Sequence, residues 1–317
     1  MRSQYRGSKF RITSCVKTNP EAAKRRPPVT DDITRFLLSP STFISFLFVW
    51  GTVFQTVFVI DGGLRSRGIG HIKNLAVPVG LVGSLIGMTA LLDSHLTDIA
   101  RSIGDLYRAA ATMMLTIIFG GILAATAYLW EQEYPPDNNS SVKRLSRFRT
   151  TLALIFGFAP TLMLMQGQQR PLDAWLSPIP LVLIASLLGF AWFVSKKSNR
   201  YQLLSNACLC SSIIGLLLGV ALVFVGDLPR GLAVAGNSLN YGLLTYIAIY
   251  IIAATQGASN QLNAWLLSWH WMEIAGFFIF MFLAPQTIID IVDQAEMMQT
   301  INALQHEVQS LKNQMGQ

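Results

Sequence analysis

Charged side chains are scarce in this sequence. Only 13% of its 317 residues are Asp, Glu, Lys or Arg, about half of the roughly 25% that soluble domains carry. Hydrophobic residues make up 52% of the chain, and its mean hydropathy is +0.44. Because a soluble globule could not bury so much apolar surface, the composition excludes soluble enzymes, disordered proteins and secreted disulfide scaffolds. It predicts an integral membrane protein.

Cysteine pairs and catalytic motifs are also missing. The three cysteines are Cys15, Cys208 and Cys210, and the last two lie in an apolar run with no second pair to complete a metal site. They fit small hydrophobic residues of a membrane helix. The four histidines are scattered, and the sequence has no phosphate-binding GxxxxGK[ST], GxSxG or HExxH motif. We therefore expect no enzymatic activity, no cofactor and no metal.

Long stretches without charge predict the number of membrane spans. A helix needs about 20 apolar residues to cross a bilayer. The polar segment 256–263 divides the longest stretch into a helix near 239–255 and another near 264–285. Eight candidate spans result, and they start from the charge-free stretches 36–60, 74–92, 109–130, 150–169, 174–195, 201–226, 231–272 and 274–289. The predicted fold is an all-α, multi-pass bundle, because barrel strands would alternate polar and apolar residues.

Basic residues give an orientation signal that contains a conflict. Loops 61–74, 131–149 and 196–202 hold ten Lys and Arg, against four in loops 93–108, 167–178 and 227–238. The first set is therefore predicted to face the cytoplasm. The N-terminal tail 1–35, with nine basic residues, points the other way if 36–60 spans. Either 36–60 is re-entrant or the tail crosses despite its charge.

The basic tail has several interpretations. It suits an orienting flank of the first membrane helix, a surface for anionic lipid or nucleic acid, or an organellar transit peptide. We favour the flank, and we expect lipids but no nucleic acid as partners. The predicted location is a bacterial inner membrane, with an organellar inner membrane as the alternative.

The C-terminal segment 286–317 has the seam of a coiled coil. Its apolar residues are spaced alternately four and three apart, at Met297, Ile301, Leu304, Val308, Leu311 and Met315. The seam predicts self-association of subunits into a homo-oligomer. The alternative is an amphipathic helix that packs on its own chain.

Glycines indicate an internal repeat. Gly83 and Gly87 stand four apart in one apolar helix, as do Gly215 and Gly219 in another. Each helix is followed by a second one with an aromatic-glycine step, at Phe119-Gly120 and Tyr241-Gly242. Small residues at this spacing let membrane helices approach closely. We therefore predict two parallel repeats, with core helix pairs 75–130 and 203–255 inside membrane units 36–130 and 150–255, joined by the basic loop 131–149.

These helices resemble the MotA/TolQ/ExbB proton-channel family. Ala76 followed by GLVGSLIGM (80–88) is similar to the first core helix of the family, with Ser84 at a threonine position. LTIIFGGILA (115–124) and GLAVAGNSLNYGLL (231–244) both look like the second core helix. The chain departs from the family in lacking its large cytoplasmic loop, in carrying the pair twice, and in having Leu216-Leu217-Leu218 where the second unit should be rich in Gly and Thr.

The resemblance implies a function and an ion path. In the family, a ring of subunits surrounds single-span partner helices that carry an acidic residue, and pore hydroxyls help to conduct protons or sodium. Ser84, Thr116 and Ser238 then become ion-path candidates, with Thr112 on the same helix face as Thr116. Alternatively, each hydroxyl bonds back to its own helix. We expect an oligomeric, stator-type energy-coupling subunit; the alternatives are a non-conducting scaffold and, less favoured, a small-solute transporter.

Glu273 is the only acid well inside a candidate span. An intramembrane carboxylate is costly and marks a functional site by default. It is therefore a further ion-path candidate, as a carrier that replaces the partner's acid in cis. The alternative rests on Trp265, Trp269 and Trp271, which suggest an interfacial belt where Glu273 simply reaches water.

Overall fold

A computed structural model describes residues 39–62, 66–97, 103–134, 145–167, 177–259 and 271–280, together with positions 262, 297, 301, 304, 305 and 309. For residues 66, 90–97, 103–113, 228 and 229 it describes the backbone alone. The described residues from Ser41 onward belong to one compact unit.

The described part of the chain is built from α-helices. In order they are α1 (Pro40–Asp61), α2 (Ser66–Thr97), α3 (Ile103–Glu133), α4 (Arg147–Gly167), α5 (Pro178–Val194), α6 (Arg200–Phe224), α7 (Leu228–Thr255) and α8 (Trp271–Phe280). Six of them are long and apolar enough to cross a membrane, while α5 and α8 are apolar but shorter. The chain is thus a multi-pass helical membrane protein, as the composition predicts.

Three predicted loops are helical over most of their length, and one of them is 93–108, which α2 enters as far as Thr97 and in which α3 begins at Ile103. Segment 61–74 was expected to be a linker, but α2 already begins at Ser66 and contains Arg67 and Lys73. Likewise α7 begins at Leu228, inside the predicted loop 227–238. A charge-free stretch indicates only the part of a helix that crosses the hydrocarbon layer. The helix itself can continue beyond that layer when its charged side chains are solvated or paired. Lys73 forms an ion pair with Glu131 of α3 in this way.

Two helix pairs, α2–α3 and α6–α7, form the most extensive contacts of the bundle. Helix α7 also packs against α2, α4 and α5. Helices α2 and α7 are accordingly the most buried of the six long ones. A membrane helix shielded on most sides from lipid can carry polar side chains that a lipid-facing helix cannot, so α2 and α7 are where functional groups are expected.

One end of the bundle gathers the basic residues, and we call it the basic end. There Leu145 N donates to Thr255 O at 2.9 Å, and the Tyr201 hydroxyl donates to Gln256 Oε1 at 2.6 Å. These bonds bring together the first residues of α4 and α6 and the last residues of α7. The Lys73–Glu131 ion pair joins the first turns of α2 to the end of α3 at this same end of the bundle. This is the end predicted to face the cytoplasm, and its orientation stays a prediction.

Several predictions fall on residues outside this description. They concern the tail 1–35 and most of the coiled-coil segment 286–317. Of the predicted seam, Met297, Ile301 and Leu304 are described as helical and exposed. Of the last predicted membrane helix, 264–285, the structure describes Trp271–Phe280.

Candidate functional site

Two predicted ion-path residues meet between α2 and α3. The Ser84 and Thr116 side-chain oxygens are 2.6 Å apart, and Thr116 also donates to the Gly80 carbonyl at 2.9 Å. A hydroxyl carries one proton, so Ser84 is the donor when Thr116 gives its proton to Gly80. Ser84 has no exposed surface and Thr116 only 6%. The pair therefore links two helices in the interior of the bundle.

Glycines bring the α2 and α3 backbones into direct contact around this pair. A Cβ atom added to Gly120 would lie 2.5 Å from the Ala76 carbonyl oxygen, and one added to Gly80 would lie 2.6 Å from the Thr116 carbonyl oxygen. Gly83 lies against the side chains of Phe48 in α1 and Thr116 in α3, and Gly87 is half-buried. Contacts this close leave no lumen between α2 and α3 along this stretch.

The pair α6–α7 repeats the same order of contacts. Gly242 faces the Cys208 carbonyl and Ser212, as Gly120 faces the Ala76 carbonyl and Gly80. Ser238 faces Gly215, as Thr116 faces Gly83. Both pairs also begin at the basic end. A duplicated helix pair would produce this shared register.

Further along α6, Gly219 lies against Gly231 and Ala235 of α7. A Cβ on Gly219 would be 2.5 Å from the Gly231 carbonyl oxygen. The predicted packing glycines of the second unit thus all lie at close helix contacts.

The remaining predicted hydroxyls differ from the Ser84–Thr116 pair. The Ser238 hydroxyl donates to Val234 O of its own helix at 2.7 Å, which is the alternative that the sequence left open. Thr112 lies among the residues for which the backbone alone is described. Of the two hydroxyls whose side chains are described, Thr116 bonds across to the neighbouring helix and Ser238 bonds within its own.

Removing the Thr116 hydroxyl tests its structural contribution. Thr116→Val keeps the side-chain shape but leaves the Ser84 hydroxyl and the Gly80 carbonyl without this partner, so we expect the free energy of unfolding to fall by about 1–3 kcal/mol. Thr126→Val is the matched control, since exposed Thr126 bonds only to Ile122 O of its own helix. Thermal unfolding in detergent measures both variants. Equal stability of the two would contradict a structural role for the Ser84–Thr116 pair.

Glu273 lies in a second buried polar cluster, between α6 and α8. It has no exposed surface, and the Ser212 hydroxyl lies 3.1 Å from its Oε1. Ser212 is also 3.1 Å from the Cys208 carbonyl oxygen, so its single proton has two acceptors. The Cys208 thiol and the Tyr246 hydroxyl, both buried, lie close enough to Glu273 to interact with it electrostatically.

The depth of Glu273 argues against a place at the membrane surface. Helix α8 runs beside α6, with Glu273 against Ser212 and Gly276 against Leu216. At 1.5 Å per residue, Ser212 is about 18 Å from the first residue of α6 at the basic end, near the middle of a hydrocarbon layer roughly 30 Å thick. The interpretation in which Glu273 reaches water beside Trp271 does not fit a fully buried carboxyl group.

Sequence reasoning missed the partners of Glu273. Ser212 and Cys208 lie 61 and 65 residues before it, and nothing in the local pattern connects them. The available signal was the repeat, since Ser212 corresponds to Gly80, the residue that Thr116 bonds in the first pair. A polar residue at a position that is glycine in the other repeat is therefore a candidate functional residue.

No group of three or more His, Cys, Asp or Glu that could hold a metal occurs among the described residues. The expectation that the chain needs neither metal nor cofactor therefore stays a prediction, as does its lack of enzymatic activity.

No protein-family model, curated protein or solved structure matches this chain. The resemblance to the MotA/TolQ/ExbB family therefore rests on the sequence motifs alone, and the chain itself is a multi-pass helical membrane protein with a carboxyl group buried inside its helical bundle.

Proposed function

We propose that this protein is a proton-driven energy-coupling membrane subunit in which Glu273 binds the transported proton. The observation that carries this proposal is the full burial of Glu273 near the middle of the bundle, against the Ser212 hydroxyl. A buried carboxyl group is costly in a membrane, and such groups serve proton relays in pumps and transporters. The glycine motifs shared with the MotA/TolQ/ExbB family add a second, weaker argument.

The surroundings of Glu273 suit both of its protonation states. When the carboxyl group is ionised, the Ser212 hydroxyl can donate to it. When it is protonated, it can donate to Ser212, whose own proton then turns to the Cys208 carbonyl oxygen. One hydroxyl rotation thus keeps the site hydrogen-bonded as a proton arrives and leaves. This exchange favours a proton over sodium as the transported ion.

The partners follow from the same proposal. We propose a homo-oligomer in lipid, with the C-terminal seam near its axis and with room for a single-span partner helix that bears an acid. Helix α5 exposes large apolar side chains, at Leu181, Val182, Phe190, Trp192 and Phe193, which suit contact with lipid or a neighbouring subunit. Because the subunit carries Glu273 in its own chain, proton binding would depend less on an acidic residue of the partner helix.

A non-conducting scaffold is the second candidate. The observation that favours it is the backbone contact of α2 with α3, where Ser84 and Thr116 bond to each other and line no lumen. In this alternative the glycine pairs hold the helices rigid, and the exposed helices and C-terminal segment bind partners. The two candidates differ in whether vesicles that contain the protein conduct protons.

Proton flux into vesicles tests the proposal. We expect the purified protein, with any co-purifying partner, to conduct protons under a potassium-diffusion potential. Ser212→Ala should slow the flux about tenfold, because the carboxylate loses a hydrogen-bond donor worth about 1–2 kcal/mol. Ser211→Ala is the matched control, since buried Ser211 donates to the Cys208 carbonyl of its own helix at 2.7 Å and is not seen to contact Glu273.

The outcomes separate the two candidates. If vesicles with the parent protein conduct protons no better than empty vesicles, the proposal of a proton-driven subunit is wrong and the scaffold is favoured. Ion flux that requires sodium and does not depend on the proton gradient would show that the transported ion is sodium. Equal rates for Ser211→Ala and Ser212→Ala would contradict the proposed role of Ser212.

A further inference from the structure

Buried polar side chains occupy the space between the basic end and Glu273. The Tyr250 hydroxyl lies 2.9 Å from His71 Nδ1 and accepts a hydrogen bond from Asn74 Nδ2 at 3.2 Å. These bonds join α7 to the first turns of α2. One turn before Tyr250 in α7 is Tyr246, and the centroids of the two rings are 6.2 Å apart. Both tyrosines are only 1% exposed.

The depths of these groups increase in order. At 1.5 Å per residue, His71 lies about 6 Å from Arg67, where the apolar span of α2 begins, and Tyr250 lies about 8 Å from the end of α7. Tyr246 lies about 14 Å from the end of α7, and Glu273 lies beside Ser212, which is about 18 Å from the first residue of α6. The first step, from His71 to Tyr250, has hydrogen-bond length, and Tyr246 lies close enough to Glu273 to interact with it electrostatically. The two inner steps, from Tyr250 to Tyr246 and from Tyr246 to Glu273, then call for a bridging water.

We propose that protons travel between the basic end and Glu273 through His71, Tyr250 and Tyr246. This inference rests on the proposed function and names the access route to the same carboxyl group. An imidazole and two phenolic hydroxyls are all able to donate and accept, which a relay requires of every member. Asn74 is a positioning residue, because its N–H bond to Tyr250 occupies one lone pair of the hydroxyl oxygen and holds that oxygen beside His71.

In one transfer, each intermediate group of the route accepts one proton and gives up one. A proton binds His71 Nε2, and the proton on Nδ1 passes to the Tyr250 oxygen. The original hydroxyl proton of Tyr250 moves to the Tyr246 oxygen, and that of Tyr246 moves to the Glu273 carboxylate. Each intermediate group ends with as many protons as it had, and Glu273 becomes a carboxylic acid. The reverse sequence releases the proton to the same end.

His71 is the outermost member of the route and lies among the charged residues of the basic end. Among the described side chains, Arg67 lies close enough to interact electrostatically with His71, and Lys73 pairs with Glu131 beside it. His71 itself is partly exposed, in contrast to the two tyrosines. The relay thus begins near the charged residues of the basic end and continues into apolar protein.

The test compares proton flux into vesicles for the parent and four variants. We expect Tyr250→Phe, which removes a single oxygen, to lower the flux of the folded protein about tenfold or more. Tyr201→Phe is the matched control, since its hydroxyl bonds Gln256 at the same end but away from the route. His71→Ala should lose flux and regain part of it with added imidazole, a restoration that a merely structural role would not produce.

Glu273→Gln serves as the reference that separates the two proposals. If it abolishes flux while Tyr250→Phe and His71→Ala conduct within about twofold of the parent, the route is wrong and the proposed function stands. If His71→Ala loses flux and imidazole restores none, His71 is structural and the relay is overturned at its first member. If the parent conducts nothing, or Glu273→Gln conducts like the parent, the proposed function fails together with the route.

Discussion

Replacing Gly120 with leucine is expected to destroy the α2–α3 pair, whereas the same change at Gly121 is expected to be tolerated. A Cβ on Gly120 would lie 2.5 Å from the Ala76 carbonyl oxygen and 3.4 Å from the Gly80 Cα, both backbone atoms that cannot rotate away. A Cβ on Gly121 meets no atom within 4 Å. The two neighbouring glycines therefore form a matched pair that differs only in helix face.

The expected effect at Gly120 is large relative to the total stability. Inserting even single methylene groups into a packed core costs about 1–3 kcal/mol, and leucine adds four carbons where none fits. We expect a loss of about 3 kcal/mol or more, out of a total of roughly 5–15 kcal/mol. Gly121→Leu should gain up to about 1 kcal/mol from helix propensity. Thermal unfolding and monodispersity in detergent measure the difference, and equal stability of the two variants would refute the close contact.

The second pair offers the same comparison. A Cβ on Gly242 would collide with the Ser212 hydroxyl and approach the Cys208 carbonyl oxygen to 3.0 Å. Gly242→Leu is therefore expected to destabilise the bundle and to displace Ser212 from Glu273. Gly189 of α5 has open space around it and serves as the tolerant control.

The fold class and the glycine contacts were accessible from sequence because both depend on local composition. Apolar stretches of sufficient length require helices in a bilayer, and six of these stretches became long helices. The glycine spacing and the aromatic-glycine steps predicted close packing, and Gly120 and Gly219 lie at backbone contacts while Gly215 lies against the Ser238 side chain. The sequence did not predict that Ser84 bonds Thr116, since this depends on the register of α2 against α3.

The hydrogen bond between His71 and Tyr250 was missed for a physical reason. Counting charge-free stretches ends a span at the first charge, so His71 was assigned to a loop because Lys73 follows it. In the structure Lys73 is paired with Glu131, and α2 continues through the segment. The partners of Glu273 were equally hidden, because the contact with Ser212 is set by how α8 packs along α6.

The change with the largest expected functional effect is Glu273→Gln. The amide has nearly the same shape as the carboxyl group, and its oxygen can still accept from Ser212, so the buried cluster should survive. An amide neither binds nor releases a proton near neutral pH. Proton flux should therefore fall by about a hundredfold or more, to the level of empty vesicles. Glu133→Gln makes the same chemical change at an exposed position at the end of α3 and should leave the flux unaltered.

Proton flux through Glu273→Gln in vesicles is also the most direct test of the central claim, that this buried carboxyl group carries the proton. The parent and Glu133→Gln should conduct at one rate and Glu273→Gln at the background rate, with all three proteins unfolding at similar temperatures. A folded Glu273→Gln variant that conducts like the parent would contradict the claim.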